Sequence, residues 1–326
     1  MNAVVCDRYG PPEVLRIDER PEPVAGETDI VVRVHATTVT TADSRVRALR
    51  MPSPTFGLIG RLALGLRGPR RRVLGTELSG TVASVGARVT RFRANDPVVA
   101  VLGARFGAHA ELVRLTETAA IAPKPEGLSW EEAAATPFGA MTALYFLRDI
   151  ARVREGQRLL VVGASGSVGL AAVQLARHLG AEVHGVCGAR NTDLIRSLGA
   201  SRVYDYATED FAASDSRYDA VLDTLGVTTY AKCRRVLSPG GVFLPVVLTF
   251  TEIRQMLSTA ILGTTRVRSG ITPERAADLE YVLELARSGA VRPIIDRCLP
   301  MSQIVAAHHR VDSGRKVGSV VVRMGG

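Results

Sequence analysis

Lysine is nearly missing from this chain. Of 41 basic residues only Lys124, Lys232 and Lys316 are lysines, so 38 are arginines. The formal net charge of +9 first suggests a nucleic-acid partner. Apart from Arg67 and the run Arg70, Arg71 and Arg72, however, the arginines are scattered, which describes solvated surface better than a binding stripe. Aromatic residues make up 5%, too few for a base-stacking platform. There is no run of about 18 apolar residues, so no spanning helix is expected. The N-terminus, Met1 to Asp7, lacks a basic segment followed by a long apolar one, so no signal peptide is expected. Cysteines are few and far apart: Cys6, Cys187, Cys233 and Cys298. None has a Cys or His partner at zinc-site spacing, so no metal site is expected and the thiols read as reduced, buried apolar residues. These absences leave a soluble cytoplasmic protein with no specific nucleic-acid partner.

What is present suffices for two packed cores. The chain has 326 residues, 46% of them hydrophobic, and two domains are the expectation at that length. The most informative stretch is 157–199. Gln157 to Val162 is a short β-branched apolar run, the pattern of a buried strand. Gly163-Ala164-Ser165-Gly166-Ser167-Val168-Gly169 follows at once, then a helix-forming segment to Leu179 that Gly180 stops. Ala181 to Cys187 supplies a second strand. Glycines at 163, 166 and 169 let a strand turn sharply into a helix whose N-terminus receives a diphosphate. Ala164 stands where the usual fingerprint has its first glycine. Strand, glycine turn, helix and second strand together are the context a dinucleotide-binding motif requires.

The end of the second strand points to the cofactor. NAD recognition calls for an acid about 20 residues past the glycines. Here Val186-Cys187-Gly188-Ala189-Arg190 runs on with no acid before Asp193. Arg190 offers paired N–H donors to a 2′-phosphate, so NADPH is expected over NADH.

Residues 1 to about 125 read as short strands between Pro-, Gly- and Asp-rich turns: 14–17, 30–36, 80–85 and 97–101. His35 alternates with apolar neighbours and reads as a satisfied strand residue. The stretch 51–72 is apolar, glycine-laced and ends in arginines. Its glycines weaken a helix and suggest a mobile covering loop. It is read as a lid over a hydrophobic substrate, as a contact for an anionic membrane surface, or as a loop tucked into its own domain. Ser129 and Glu132 form a capping box, and helical character continues from Phe138 to Leu147. Asn191 or Thr192 is expected to cap the next helix, and Gly199 to end it. Further strands are expected at 201–206, 218–223 and 241–247, with an edge strand at 265–270. A helix is expected from 274 to 288, and a closing strand at 318–322 that returns to the first domain. Strand and helix alternate as in a doubly wound parallel α/β sheet, whose ligands bind outside the carboxyl ends of the strands. That rule points to Asp223-Thr224-Leu225-Gly226 and to Pro245-Val246-Val247.

These motifs resemble the medium-chain dehydrogenase/reductase superfamily, in its zinc-independent branch of zeta-crystallin-like quinone oxidoreductases. The resemblance rests also on Gly75-Thr76-Glu77-Leu78-Ser79-Gly80, on 134–143, on Gly199-Ala200 leading to Asp205-Tyr206, and on 223–226. It implies a GroES-like, mostly β catalytic domain drawn from both chain ends, 1–125 and 273–326, and a Rossmann domain, 126–272. It implies a homodimer through an edge strand of the Rossmann sheet. Residue by residue, it assigns Gly163, Ala164, Gly166, Ser167, Val168 and Gly169, with Ser165 between them, to the diphosphate loop. Gly188, Arg190 and Tyr206 fall at the 2′-phosphate, Thr142 near the nicotinamide, and Val246 and Val247 where backbone groups hold the carboxamide. The zinc branch of the superfamily places Cys and His where this chain has Thr40 and Thr76. The quinone branch shows Val-Asn-Pro-x-Asp-x-Tyr where this chain has Val39-Thr40-Thr41-Ala42-Asp43-Ser44-Arg45. Its closing Gly-Lys is here Gly318-Ser319.

The activity this implies is hydride transfer from NADPH to a small hydrophobic quinone or conjugated enone. Developing negative charge on the acceptor needs donors, and Thr40, Arg45 and Arg47 are the candidates, with Asp43 expected to fix their loop. An enoyl reductase acting on an α,β-unsaturated thioester or natural-product intermediate is the alternative. A non-catalytic NADPH sensor or nucleic-acid binder is the third reading.

Overall fold

The computed structural model describes residues 1–50, 54–262 and 264–325. In chain order the strands of the first part are β1 (Asn2–Cys6), β2 (Leu15–Glu19), β3 (Asp29–Val39), β4 (Glu77–Val85), β5 (Pro97–Val101), β6 (Leu112–Thr116) and β7 (Ala120–Pro123). Its helices are α1 (Thr41–Ala48), α2 (Pro54–Leu64), α3 (Trp130–Ala135) and α4 (Pro137–Leu144). There follow β8 (Arg158–Val162), α5 (Ser167–His178), β9 (Glu182–Cys187), α6 (Thr192–Ser197), β10 (Arg202–Asp205) and β11 (Tyr218–Asp223). Then come α7 (Tyr230–Cys233), β12 (Leu237–Pro245), α8 (Phe250–Leu262) and β13 (Arg266–Val267). The chain closes with α9 (Ala276–Arg287), β14 (Ile295–Pro300), α10 (Ile304–Asp312) and β15 (Ser319–Arg323).

Two units result. The first comprises Met1–Phe138, Glu274–Gly289 and Pro293–Gly326; the second comprises Gly139–Pro273 and Ala290–Arg292. The first unit is built on β14-β15-β3-β4-β5-β7, with β6 on β3; all pairs are antiparallel except β14 with β15. β15, from the far end of the chain, pairs β3. β-Branched residues such as Ile30, Val32, Val34, Val98 and Val320 fill its core, where stiff side chains pack well on a pleated surface. His35 donates to or accepts from Thr81 Oγ1 at 2.9 Å and stacks on Trp130, so it is indeed a satisfied strand residue.

The second unit is a parallel six-stranded sheet of order β10-β9-β8-β11-β12-β13. The strand order reverses between β8 and β11, and the carboxyl ends there form the crevice in which doubly wound sheets take their ligands.

Several elements differ from expectation. Of 51–72, residues 51–53 lie outside the described residues, and 54–64 form a helix rather than a loop. Gly57 sits where an added Cβ would meet nothing, so its cost there is conformational freedom alone, about 1 kcal/mol, and the local turns override it. Helical character does not run unbroken from Ser129: α3 ends at Ala135 and Pro137 opens α4, because proline cannot donate back into the preceding turn. The Ser129–Glu132 capping box itself is formed. A short 3₁₀ turn leads into α6, and Asn191 makes no side-chain cap. The edge strand is only two residues long. Three cysteines are buried, Cys298 is half-buried, and all four are free. Burial pushes the Cys6 thiol up to about 11 and the Cys233 thiol up to about 12, so neither is a reactive thiolate at neutral pH.

Candidate active site

In the second unit the glycine turn has a distinct job at each position. Gly163 takes φ +78°, and a Cβ there would stand 2.5 Å from Thr224 Oγ1 and 2.6 Å from Leu225 Cγ. A Cβ on Gly169 would stand 2.2 Å from the Gly163 carbonyl oxygen, so glycine is what lets α5 approach β8 so closely. Gly166 is the N-cap of α5 and gives it no side-chain cap. Its Cβ would meet only the Gly163 oxygen, at 3.6 Å. The first-turn N–H groups and the dipole end of a twelve-residue helix therefore face a place where backbone and anion can meet.

The neighbouring strand ends complete this cradle. Asp223 is fully buried at the end of β11. Its carboxylate accepts N–H bonds from Leu225 (3.0 Å), Gly226 (2.9 Å) and Thr228 (3.0 Å). Thr224 Oγ1 donates to Val162 O at 3.0 Å. The loop is thereby folded back so that Leu225, half-exposed, lies against Gly163. Val246 N donates to Asp223 O at 2.9 Å, and Val247 lies 3.0 Å from where a Gly226 Cβ would be. Past β9, a Cβ on Gly188 would be 3.3 Å from Tyr206 Oη, so those two residues share one shelf. Tyr206 is 70% exposed, and Arg190 is exposed on the turn between Gly188 and α6. Among the described residues no carboxylate pairs with Arg190. Asp205, on the adjacent strand, turns its Oδ1 to Ala207 N at 3.1 Å. Thr142 is half-buried on α4, one turn beyond Gly139, whose absent side chain lets α4 approach Ser167 O. In the second unit the predicted residues from 163 to 247 follow the carboxyl ends of the strands, and Thr142 lies on α4.

In the first unit, Thr40 and Asp43 cap α1 reciprocally. Asp43 Oδ2 accepts from Thr40 N (2.8 Å) and Thr40 Oγ1 (2.6 Å); Asp43 Oδ1 accepts from Gly75 N (2.8 Å). Both residues are buried. Asp43 therefore ties the 75–77 turn to the start of α1, and the Thr40 proton is committed to it. Arg47, read from the sequence as a donor to substrate, is instead fully buried. Its guanidinium binds Asp312, Gly10 O and His308 Nδ1. Periodicity on α1 places it toward α10, so it is a structural cation. Arg45 alone is half-buried with no partner for its guanidinium among the described residues, and burial lowers its pKa.

Glu77, one element of a glycine motif in the sequence, is the buried acid of this unit. Thr38 Oγ1 donates to one carboxyl oxygen, and Phe138 N donates to the other at 2.6 Å. Burial pushes its pKa up to about 8; the two donors oppose the shift and the charge of Asp43 adds to it. Lys316 donates to Gly318 O at 2.5 Å, and burial brings it down to about 8. A carboxyl raised in the folded state stabilises most below its unfolded pKa and loses that contribution as pH rises through about 8. Lys316, being lowered, regains stability only above about 8. Wild-type stability is thus expected to fall relative to Glu77→Gln by about 1 kcal/mol per unit between about pH 5.5 and 7.5. Urea titrations at the two pH values read the difference, in which other titrating groups cancel. Equal slopes for the two proteins would show that Glu77 is ionised throughout.

Comparison with known proteins identifies the family. The profile described as "Alcohol dehydrogenase GroES-like domain" matches residues 26–126, and "Zinc-binding dehydrogenase" matches residues 198–322. The chloroplast envelope quinone oxidoreductase homolog of Arabidopsis thaliana is 33% identical over 261 residues, 76% of this chain and 78% of that protein. The chain belongs to the quinone oxidoreductase-like proteins of the medium-chain dehydrogenase/reductase superfamily. A quinone oxidoreductase from Coxiella burnetii superposes with a TM-score of 0.86 at 28% identity, covering 99% of each chain. The pikromycin polyketide synthase component PikAII of Streptomyces venezuelae is 35% identical over 81% of this chain; the chain spans 7% of that protein's length.

One description names zinc, and the donor set of this quinone oxidoreductase-like chain does not suit the ion. Thr40 Oγ1 donates its hydrogen bond to Asp43, and Thr76 is a buried hydroxyl without a partner among the described residues. His109, behind Gly75, is turned to Thr38 O at 2.9 Å. A zinc site takes thiolate, imidazole and carboxylate ligands, and no group of three such side chains is assembled among the described residues.

Proposed function

We propose that this chain is a zinc-independent, NADPH-dependent oxidoreductase that passes hydride to a small hydrophobic quinone or conjugated enone. The observation that carries the cofactor is the uncapped glycine cradle of α5 beside an exposed Arg190 that no carboxylate engages among the described residues. Gly163 to Gly169 would hold the diphosphate. Arg190, with Gly188 and Tyr206, would hold the 2′-phosphate. Thr142, Leu225, Val246 and Val247 would border the nicotinamide. NADPH supplies the hydride when bound. The chain's own task is to orient the reactants and exclude water. Arg45, whose half-buried guanidinium has no partner among the described residues, is the remaining donor of the three for charge developing on the acceptor oxygen. The free cysteines accord with a reducing, cytoplasmic setting.

The likeness to a polyketide synthase component favours a second reading, an enoyl reductase acting on an α,β-unsaturated thioester or natural-product intermediate. Product analysis separates the two. With NADPH and EDTA, phenanthrenequinone is expected to yield hydroquinone, while a crotonyl thioester is expected to come back unchanged. A saturated thioester with no quinone turnover would install the second reading instead.

A homodimer accompanies this proposal. β13 is an open edge of two residues. Near it in the chain, α8 exposes Phe250, Ile253, Leu257 and Ile261 along one stripe, the last two at 67% and 82%. Such an apolar face beside a short edge strand suits a second copy. Leu257→Asp/Ile261→Asp is expected to halve the mass read by light scattering. An unchanged mass would place the interface elsewhere.

A further inference from the structure

A second exposed apolar stripe lies in the first unit, and its chemistry differs from that of α8. Leu58 and Leu62 are one helical turn apart on α2, and Leu66 follows the helix end. They are 64%, 60% and 66% exposed. Leucine on a solvated helix face is unremarkable singly, but two in helical register, with a third exposed just past the helix end, form an apolar patch. The surrounding charge has one sign. From Ser44 to Thr76 the sequence holds eight arginines and no acid. Arg61, Arg67, Arg70, Arg71 and Arg72 are all exposed. Asp7, which pairs with Arg72, is shared with Arg16.

The stripe is anchored to the body of its unit. Tyr9 Oη donates to Gly65 O at 2.8 Å, and Arg61 lies over the Tyr9 ring. Arg70 N donates to Leu64 O at 2.6 Å, and Cys6 N to Arg72 O at 2.7 Å. A Cβ on Gly68 would stand 2.1 Å from Asp7 O. With its C-terminal end held on β1 in this way, the helix presents its leucines outward.

We infer that α2 and the arginines after it dock this protein on an anionic lipid surface. Apolar side chains on one face, flanked by arginine, describe a helix that lies in the interfacial plane with its leucines among the acyl chains and its cations among the headgroups. A second copy suits the patch poorly: a two-fold interface sets the same patch against itself and would oppose five arginines to five. Nucleic acid would leave three leucines against phosphate with no stacking ring among them. The inference does not depend on which acceptor the enzyme reduces.

The test is co-sedimentation of the full chain with vesicles of phosphatidylcholine alone or containing about one third phosphatidylglycerol. Binding is expected to the anionic vesicles and to weaken in about 0.3 M salt. Arg67→Ser/Arg70→Ser/Arg71→Ser is expected to lower the partition coefficient on the order of 100-fold. Leu58→Ser/Leu62→Ser/Leu66→Ser is expected to lower it roughly tenfold or more. The control Arg93→Ser/Arg105→Ser/Arg154→Ser removes the same charge from exposed positions elsewhere and is expected to change it less than about threefold. All nine side chains are exposed, and unchanged thermal melts verify that the variants fold. Three results would overturn the inference: no binding by the wild type, leucine variants that sediment like wild type, or an equal loss in the control. A leucine variant that instead changes the oligomeric mass would assign the stripe to a second copy.

Discussion

Arg47→Met is expected to lower the unfolding free energy by about 3–5 kcal/mol. The guanidinium is fully buried on α1. It joins Asp312 on α10 and the carbonyl of Gly10, and its Nε donates to His308 Nδ1 at 3.3 Å. His308 is itself fully buried and held neutral, chiefly by desolvation, so it accepts this bond rather than competing as a second cation. Methionine fills the volume but leaves the nearly buried Asp312 carboxylate, among the described residues, with only the Ser44 hydroxyl. Removing one partner of a buried pair costs more than the pair is worth. The double variant Arg47→Met/Asp312→Leu is therefore expected to recover much of the loss. Equilibrium denaturation measures both. Were Arg47 a donor to substrate, the single variant would keep its stability within about 0.5 kcal/mol and lose turnover alone.

Arg190→Glu is expected to weaken NADPH binding roughly 100-fold or more while leaving NADH nearly unaffected. The proposed bidentate arginine–phosphate pair would be replaced by two like charges. The exposed turn at 189–191 makes no packing that the change would disturb, so the effect should sit in the 2′-phosphate term alone. Fluorescence titration with each nucleotide reads it. Parallel weakening of both nucleotides would mean that the turn had been distorted, and no change in either would remove Arg190 from the site.

The two units differ in how much of them the sequence discloses. In the second, local rules agree with the fold: β-branched runs are strands, Gly163 sits where φ is positive and Gly169 where backbones touch, and the residues proposed for the cofactor from 163 to 247 follow the strand ends that a parallel sheet aligns. Asp223 was legible as a strand-end residue but not as the acceptor that folds its own loop, since three N–H partners within five residues depend on the turn's conformation. In the first unit the decisive facts are long-range. Arg47 and Asp312 are 265 residues apart in sequence, and in a chain with 38 arginines nothing local marks the one that is fully buried. Glu77 stands in a sequence motif, but only the fold shows it buried between Thr38 and Phe138. The helix at 54–64 was hidden by its glycines, whose propensity cost the packing of the following segment on β1 and Tyr9 outweighs.

The central claim is metal-free reduction by NADPH, and steady-state nicotinamide oxidation in the presence of EDTA tests it most directly. Purified protein is mixed with phenanthrenequinone and either NADPH or NADH, and the loss of reduced-nicotinamide absorbance is followed. The account predicts EDTA-resistant turnover with NADPH that is at least roughly tenfold faster than with NADH at limiting nucleotide. Turnover abolished by EDTA and restored by zinc would contradict it. So would a preference for NADH, or tight NADPH binding with no oxidation by any quinone or enone.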